Sequence, residues 1–141
     1  MLLFSICAAI ITTTQKNPSW ALDRIDQMEG LNNKFIYPNN AGTGVVVYVL
    51  DSGINANDPE FQGRVQFGIN LTNEPNGDYS GHGTFVAGII GSKTYGAAKS
   101  VLMIDVKVSD ANGEYSEDVL LDALEWFATM LNDTKNRLLL I

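Results

Sequence analysis

Asp51 closes the apolar run Val45-Val46-Val47-Tyr48-Val49-Leu50 and is followed by Ser52-Gly53, and His82, the only histidine, stands 31 positions later within Gly81-His82-Gly83-Thr84. A carboxylate and an imidazole are what a hydroxyl nucleophile needs: a base with a pKa near neutrality, and an anion that holds its tautomer and stabilises the imidazolium. Glycines on both sides of His82 would let substrate and backbone approach closely. Other readings of the same residues are weaker. An Asp before Ser-Gly can simply cap a turn, and a lone His is often structural. A metal centre lacks a second His or a Cys at ligand spacing. A phosphotransfer or phosphatase site on Asp51 would want a second carboxylate two residues on, where Gly53 stands.

The elements that must carry these groups can be read from the pattern around them. Residues 45–50 are apolar at both parities and rich in β-branched side chains, as in a strand buried on both faces of a parallel sheet. Asp51 then falls at the carboxyl end, where open α/β sheets place their ligand sites. Gly83–Ser92 reads as a helix whose small residues, Gly83, Ala87, Gly88 and Gly91, suit close packing against the sheet. Between them, the polar connection 55–80 holds one short strand, Val65–Ile69. Val101–Val108 is the next strand, and Asp110-Ala111-Asn112-Gly113 has turn chemistry.

Ser116–Leu131 is the best-specified helix, with Ser116 as N-cap, Glu117 and Asp118 in the first turn, a Tyr115–Leu120 staple, and an apolar stripe of Leu120, Ala123, Leu124, Phe127 and Leu131. Leu138–Ile141 begins a further strand. Strand, helix, strand, helix, strand implies an α/β fold, a mainly parallel sheet with right-handed crossovers and helices on its faces. Residues 12–44, punctuated by Thr, Asn, Gly and Pro around a short helical pattern at Trp20–Met28, read as a surface lead-in.

Composition narrows the function classes. A chain of 141 residues, 45% apolar, fits one domain or part of one. Net charge is −7 with nine dispersed basic residues, so no nucleic-acid footprint is expected. Cys7 is the only cysteine, which excludes an internal disulfide. The apolar stretch Leu2–Ile11 is too short for a transmembrane helix but resembles the core of a secretory signal, although no basic residue precedes it. The glycosylation tripeptides Asn70-Leu71-Thr72 and Asn132-Asp133-Thr134 also suit a secreted or extracellular chain.

Several segments, in order, resemble the subtilisin-like serine proteases, and most closely the proteinase K group. They are Trp20-Ala21-Leu22-Asp23-Arg24-Ile25, Val47-Tyr48-Val49-Leu50-Asp51-Ser52-Gly53-Ile54, Pro59-Glu60-Phe61-Gln62-Gly63-Arg64, Gly81-His82-Gly83-Thr84 and Tyr95-Gly96-Ala97-Ala98-Lys99. The resemblance implies a subtilisin-like three-layer fold, Asp51 as orienting acid, His82 as general base, and a peptide or protein substrate. It implies Gly113 and Tyr115 as substrate-binding residues, on a segment that pairs with an extended peptide. Residues 1–16 resemble a signal-like or propeptide-remnant lead-in, with Thr12-Thr13-Thr14-Gln15-Lys16 like the processing junction. Residues 17–141 resemble the N-terminal portion of the peptidase domain. No cofactor is needed for the chemistry. Bound calcium, frequent in the family, is left open, with no metal ligand assigned.

This sequence also departs from the family pattern. The segment Asn112-Gly113-Glu114 is short, with acidic Glu117 and Asp118 after Ser116, and Phe85 and Asp58 stand where histidines are common, which puts the cleft's preference in question. None of the eight serines, Ser5 to Ser116, lies in a nucleophile turn, and no residue matches the oxyanion Asn. The expectation is therefore an acid and a base without nucleophile, inactive as these 141 residues, with a pseudoprotease or peptide-binding module as the alternative. Oligomeric state is not indicated by the sequence.

Overall fold

The computed structural model describes residues 10–131 and 137–141. The chain divides into two compact units between Ala41 and Gly42. In the first, β1 (Thr12–Lys16) pairs antiparallel with β2 (Lys34–Pro38), with Thr14 opposite Ile36. The lead-in thus contains a sheet that its polar sequence does not announce, and it joins residues on both sides of position 16. Between the strands, α1 (Trp20–Ile25) starts at Ser19, whose Oγ accepts from the Leu22 amide, and stops three residues before the Met28 limit expected from the pattern. Arg24 explains the stop by donating to the carbonyls of Gln27 and Met28 beyond the helix. Buried Asp23 accepts from the Asn32 and Asn33 amides at 2.9 and 2.7 Å, which fixes the turn into β2.

The second unit is a four-stranded, wholly parallel sheet of β3 (Val45–Asp51), β4 (Val65–Asn70), β5 (Leu102–Lys107) and β6 (Arg137–Leu140), in the order β4-β5-β3-β6. Helix α2 (His82–Gly91) follows β4 and α3 (Glu117–Leu131) follows β5. β3 is interior, and its alternation supplies both sides of the sheet. Val47 and Val49 join Ile54, Phe61, Val65, Ala87, Val101 and Met103 in a cluster on the α2 side. Val46 and Tyr48 join Val106, Val108 and Ala123 on the α3 side. Each such fully buried aliphatic side chain contributes about 1.5–3 kcal/mol.

Two expectations about the helices need correction. Along α2, an added Cβ at Gly83 would lie 2.1 Å from the Gly53 carbonyl oxygen and one at Gly91 2.8 Å from Val101, but nothing lies within 4 Å of one at Gly88. Gly88 is therefore not a close-packing position. On α3, Ser116 does cap the first turn by accepting from the Val119 amide, but the inward stripe is Val119, Ala123, Trp126, Phe127 and Met130. Leu120 and Leu124 face outward because Tyr48 selects the aromatic face, packing edge-on to Trp126 at 5.9 Å and Phe127 at 4.8 Å. Nothing is described of the Leu131 side chain.

Candidate active site

β3 delivers Asp51 as its last residue, and the sheet fixes it there. The Asp51 carbonyl accepts from the Val108 and Ser109 amides at 2.8 and 3.3 Å, so the strand end cannot swing away from the segment following β5. Helix α2 begins at His82, after Gly81 in the left-handed region (φ 86°). That conformation suits a glycine and turns the chain so that the first helical side chain faces back toward β3.

His82 Nδ1 lies 2.8 Å and 2.9 Å from the two carboxylate oxygens of Asp51. A carboxylate can only accept, so the proton is on Nδ1 and the lone pair of the neutral ring is on Nε2. The Asp51 hydrogen bond, reinforced by its charge and by that of Asp78, raises the His82 pKa above the ordinary 6.5, against a small opposing desolvation. Asp51 also accepts from the Ser52 amide at 2.7 Å, which holds the carboxylate in place. An imidazole oriented in this way can act as a general base, its cation stabilised by the neighbouring carboxylate.

A second layer supports the pair. Buried Ser52 donates to Asp78 at 2.8 Å and accepts from the Gly83 amide at 3.0 Å. Asp78 also receives the Gly81 and Thr84 amides, both at 2.8 Å. Desolvation pushes the Asp78 pKa upward, but the bonds from Thr84, Ser52 and Gly81 outweigh it and hold the carboxyl below its usual range. One carboxylate thereby gathers the orphan amides at the start of α2 and ties them to the residue after Asp51. Buried Lys107, whose Cα pairs with that of Asp51, donates to the carbonyls of Ser52 and Ser109 at 2.6 and 3.1 Å and meets Glu74 at 3.1 Å. Glu74 in turn accepts from the Ala111 amide.

Beside the pair is an open cleft of about 470 Å³ whose walls include Ser80, His82, Asn112, Gly113, Tyr115 and Leu120. The structure thus brings Asp51, His82, Gly113 and Tyr115 to one place. Gly113 (φ 81°) belongs to a tight turn in which its amide donates to the Asp110 carbonyl, while the Asp110 carboxylate accepts from the Asn112 and Glu114 amides. Phe85 and Asp58 do not border this cleft. They line a separate depression beside α2, so their departure from the family pattern does not alter the walls around His82.

Sequence reasoning missed Ser52, Asp78, Glu74 and Lys107 as supports. A signal existed for Lys107, which with Asp105 is one of two charges in an apolar strand, since lysine is almost never buried without partners. Asp78 and Glu74 sit in a polar loop where nothing distinguishes them from solvated carboxylates. Among the described residues no group of three or more His, Cys, Asp or Glu could hold a metal ion. No step is derived through calcium.

The site is thus an aspartate that closes a central parallel strand, paired to a histidine that opens the next helix. The subtilase family model (peptidase S8) matches residues 42–138, more than half of the chain. The chain belongs to the subtilase family. It is 43% identical over 123 residues to a subtilisin-like protease of Coccidioides posadasii, covering 86% of this chain and 32% of that protein. It is 46% identical over 114 residues to subtilisin-like protease 10 of Trichophyton verrucosum, covering 81% and 22%. A solved structure, a cold adapted subtilisin-like serine proteinase, superposes with a TM-score of 0.76 at 38% identity, covering 81% of this chain and 42% of that one. The fold is subtilisin-like, and the chain spans a third or less of the length of these curated relatives.

Proposed function

We propose that these residues form the acid and base part of a secreted serine endopeptidase of the proteinase K-like group, and that the 141 residues alone do not hydrolyse peptide bonds. The observation that carries the first half is the His82–Asp51 contact at 2.8 Å, with Nε2 left available beside an open cleft. Asp51 orients and neutralises, His82 takes and returns the proton, and Gly113 and Tyr115 border an extended peptide substrate. The second half rests on the serines. Ser80 and Ser109 line the cleft, but among the described residues the His82 ring is hydrogen-bonded to Asp51 and to no hydroxyl. Ser52 is already committed to Asp78 and Gly83.

For the secreted assignment, the support is the apolar stretch near the N-terminus and the fungal subtilisin-like proteases among the relatives. Residues 1–9 and Asn132 lie outside the described residues, and no helix among those described is long and apolar enough to cross a membrane. The Asn70 amide already donates to the Glu74 carbonyl and the Asn76 side chain, so this tripeptide adds no weight.

Incubating the 141-residue chain and its H82A variant with a fluorogenic protein substrate tests the proposal. Neither should raise the signal above buffer. Hydrolysis by the wild-type chain that disappears in H82A would overturn the reading of an incomplete site. Saturable binding of a peptide without hydrolysis would favour the binding-module alternative.

A further inference from the structure

Two Asn-Gly pairs border the site, Asn76-Gly77 just before Asp78 and Asn112-Gly113 in the turn beside the cleft. Asparagine is thermolabile, and before glycine it is most so, because the glycine nitrogen can attack the asparagine side-chain carbon with no side chain of its own in the way. The fold treats the two pairs differently.

At Asn112-Gly113 the attacking nitrogen is engaged. The Gly113 amide donates to the Asp110 carbonyl at 3.0 Å, in a turn that the Asp110 carboxylate closes through the Asn112 and Glu114 amides. At Asn76-Gly77 it is free. Among the described residues the Gly77 amide has no hydrogen-bond partner, and an added Cβ there would meet only the Tyr79 ring, at 4.0 Å, which leaves space for a ring to close. Asn76 is exposed, and its Oδ1 accepts from Asn70 Nδ2 at 3.0 Å. That donor is fixed in place. Asn70 Nδ2 also donates to the Glu74 carbonyl at 2.8 Å, and Asn70 Oδ1 accepts from the amide and hydroxyl of Thr72 at 2.9 and 2.8 Å. Attack at Asn76 Cγ drives negative charge onto Oδ1, the atom at which the Asn70 donor is aimed.

We propose that Asn76 is a spontaneous modification site, deamidating through a cyclic imide with Asn70 as the donor that stabilises the developing oxyanion. The Gly77 nitrogen forms a bond to Asn76 Cγ and passes its proton through solvent to the departing Nδ2, which leaves as ammonia when the Cγ–Nδ2 bond breaks. Water then opens the imide at either carbonyl, giving aspartate or isoaspartate, with no change of oxidation state. In the isoaspartyl product the main chain runs through Cβ and Cγ of residue 76 and is longer by one carbon immediately before Gly77. That place is tightly packed, since an added Cβ at Gly53 would lie 2.6 Å from the Gly77 carbonyl oxygen. The residue after Gly77 is Asp78, which holds Ser52 and the Gly81 and Thr84 amides. The isoaspartyl form therefore loosens the support of the Asp51–His82 pair, whereas the aspartyl form keeps it.

Ageing the 141-residue chain at mildly alkaline pH, native and in urea, tests this, with fragment-ion mass spectrometry of the tryptic peptides carrying Asn76 and Asn112. In urea the two sites should react at comparable rates, and in the native chain Asn76 should outpace Asn112 by roughly fivefold or more, the worth of a free attacking amide and an added donor. Equal native rates, or a faster Asn112, would overturn the proposal. N70A should slow Asn76 by roughly threefold or more in the native chain and leave Asn112 unchanged. A folded N70A with an unaltered Asn76 rate would remove Asn70 from the account, and if N70A does not fold the comparison of native and urea rates decides. In the separated isoaspartyl form the Gly81 and Thr84 amides should exchange faster than in N76D or the unmodified chain. Unchanged protection there would refute the effect on the pair.

Discussion

Ser52 and Asp78, 26 residues apart, share a hydrogen bond of 2.8 Å that makes the residue after the acid and the loop before the base a single unit. The same Ser52 oxygen accepts from the buried Gly83 amide. S52A should therefore destabilise the fold by about 1–3 kcal/mol, the cost of a buried donor left unmatched. Urea denaturation should show a lower midpoint at an unchanged slope, with faster amide exchange at Gly83. An unchanged midpoint would mean that the start of α2 is held by Asp78 alone.

Asp51 raises the His82 pKa, so D51N should lower it toward the ordinary value of 6.5. The sign follows from linkage. A folded-state pKa above the unfolded one makes the Asp51 contact stabilising at pH values below the unfolded pKa, and that stabilisation fades as pH rises through the folded pKa. The single His Cε1 proton resonance should report the shift directly. Identical titrations for wild type and D51N would contradict the contact.

Asp105 has the same sign of linkage, with a destabilisation that grows with pH in place of a stabilisation that fades. Its folded pKa is raised from 3.8 to about 6, so below 3.8 its burial carries no ionisation penalty, and the penalty grows between the two values and is complete above 6. D105N should leave stability unchanged near pH 3.5 and raise it by about 1–3 kcal/mol at pH 7.5. Denaturation of both proteins across that range should show the curves diverging as pH rises. Parallel curves would refute a raised pKa.

Lys107 is 1% exposed and joins Ser52, Ser109 and Glu74 under the cleft. K107M keeps much of the stem volume but removes the charge and strands two carbonyls. A loss of about 2–4 kcal/mol is expected, with increased exchange at Ala111 and Gly113 as Glu74 is released from its partner. A K107M protein as stable as wild type would show that the lysine only fills space.

The features legible in the sequence are those governed by local pattern. β3 could be read because both of its faces are buried, which leaves an unbroken apolar run, and Asp51 and His82 could be read because each borders an element. Choices made by partners in space were not legible. α3 carries apolar residues on more than one face, with Val119, Leu120 and Leu121 in succession and Leu124 a turn on, and only contact with Tyr48 decides that Trp126 and Phe127 face inward while Leu120 and Leu124 do not. Thr12–Lys16 carries no apolar alternation, so its pairing with Lys34–Pro38 is visible only in the fold. Asp78 looks like any loop carboxylate until the amides of Gly81 and Thr84 are seen to converge on it.

The claim that Asp51 and His82 are working acid and base is tested most directly by supplying what these residues lack. Residues 17–141 can replace the matching segment of the Coccidioides posadasii relative, and kcat/KM can be compared for this hybrid and its H82A and D51N forms. The account predicts a hybrid that hydrolyses peptides, with losses of roughly 10⁴-fold or more in both variants, the scale seen when a triad member is removed from subtilisin, a member of the family. A folded hybrid whose activity is indifferent to H82A would contradict it.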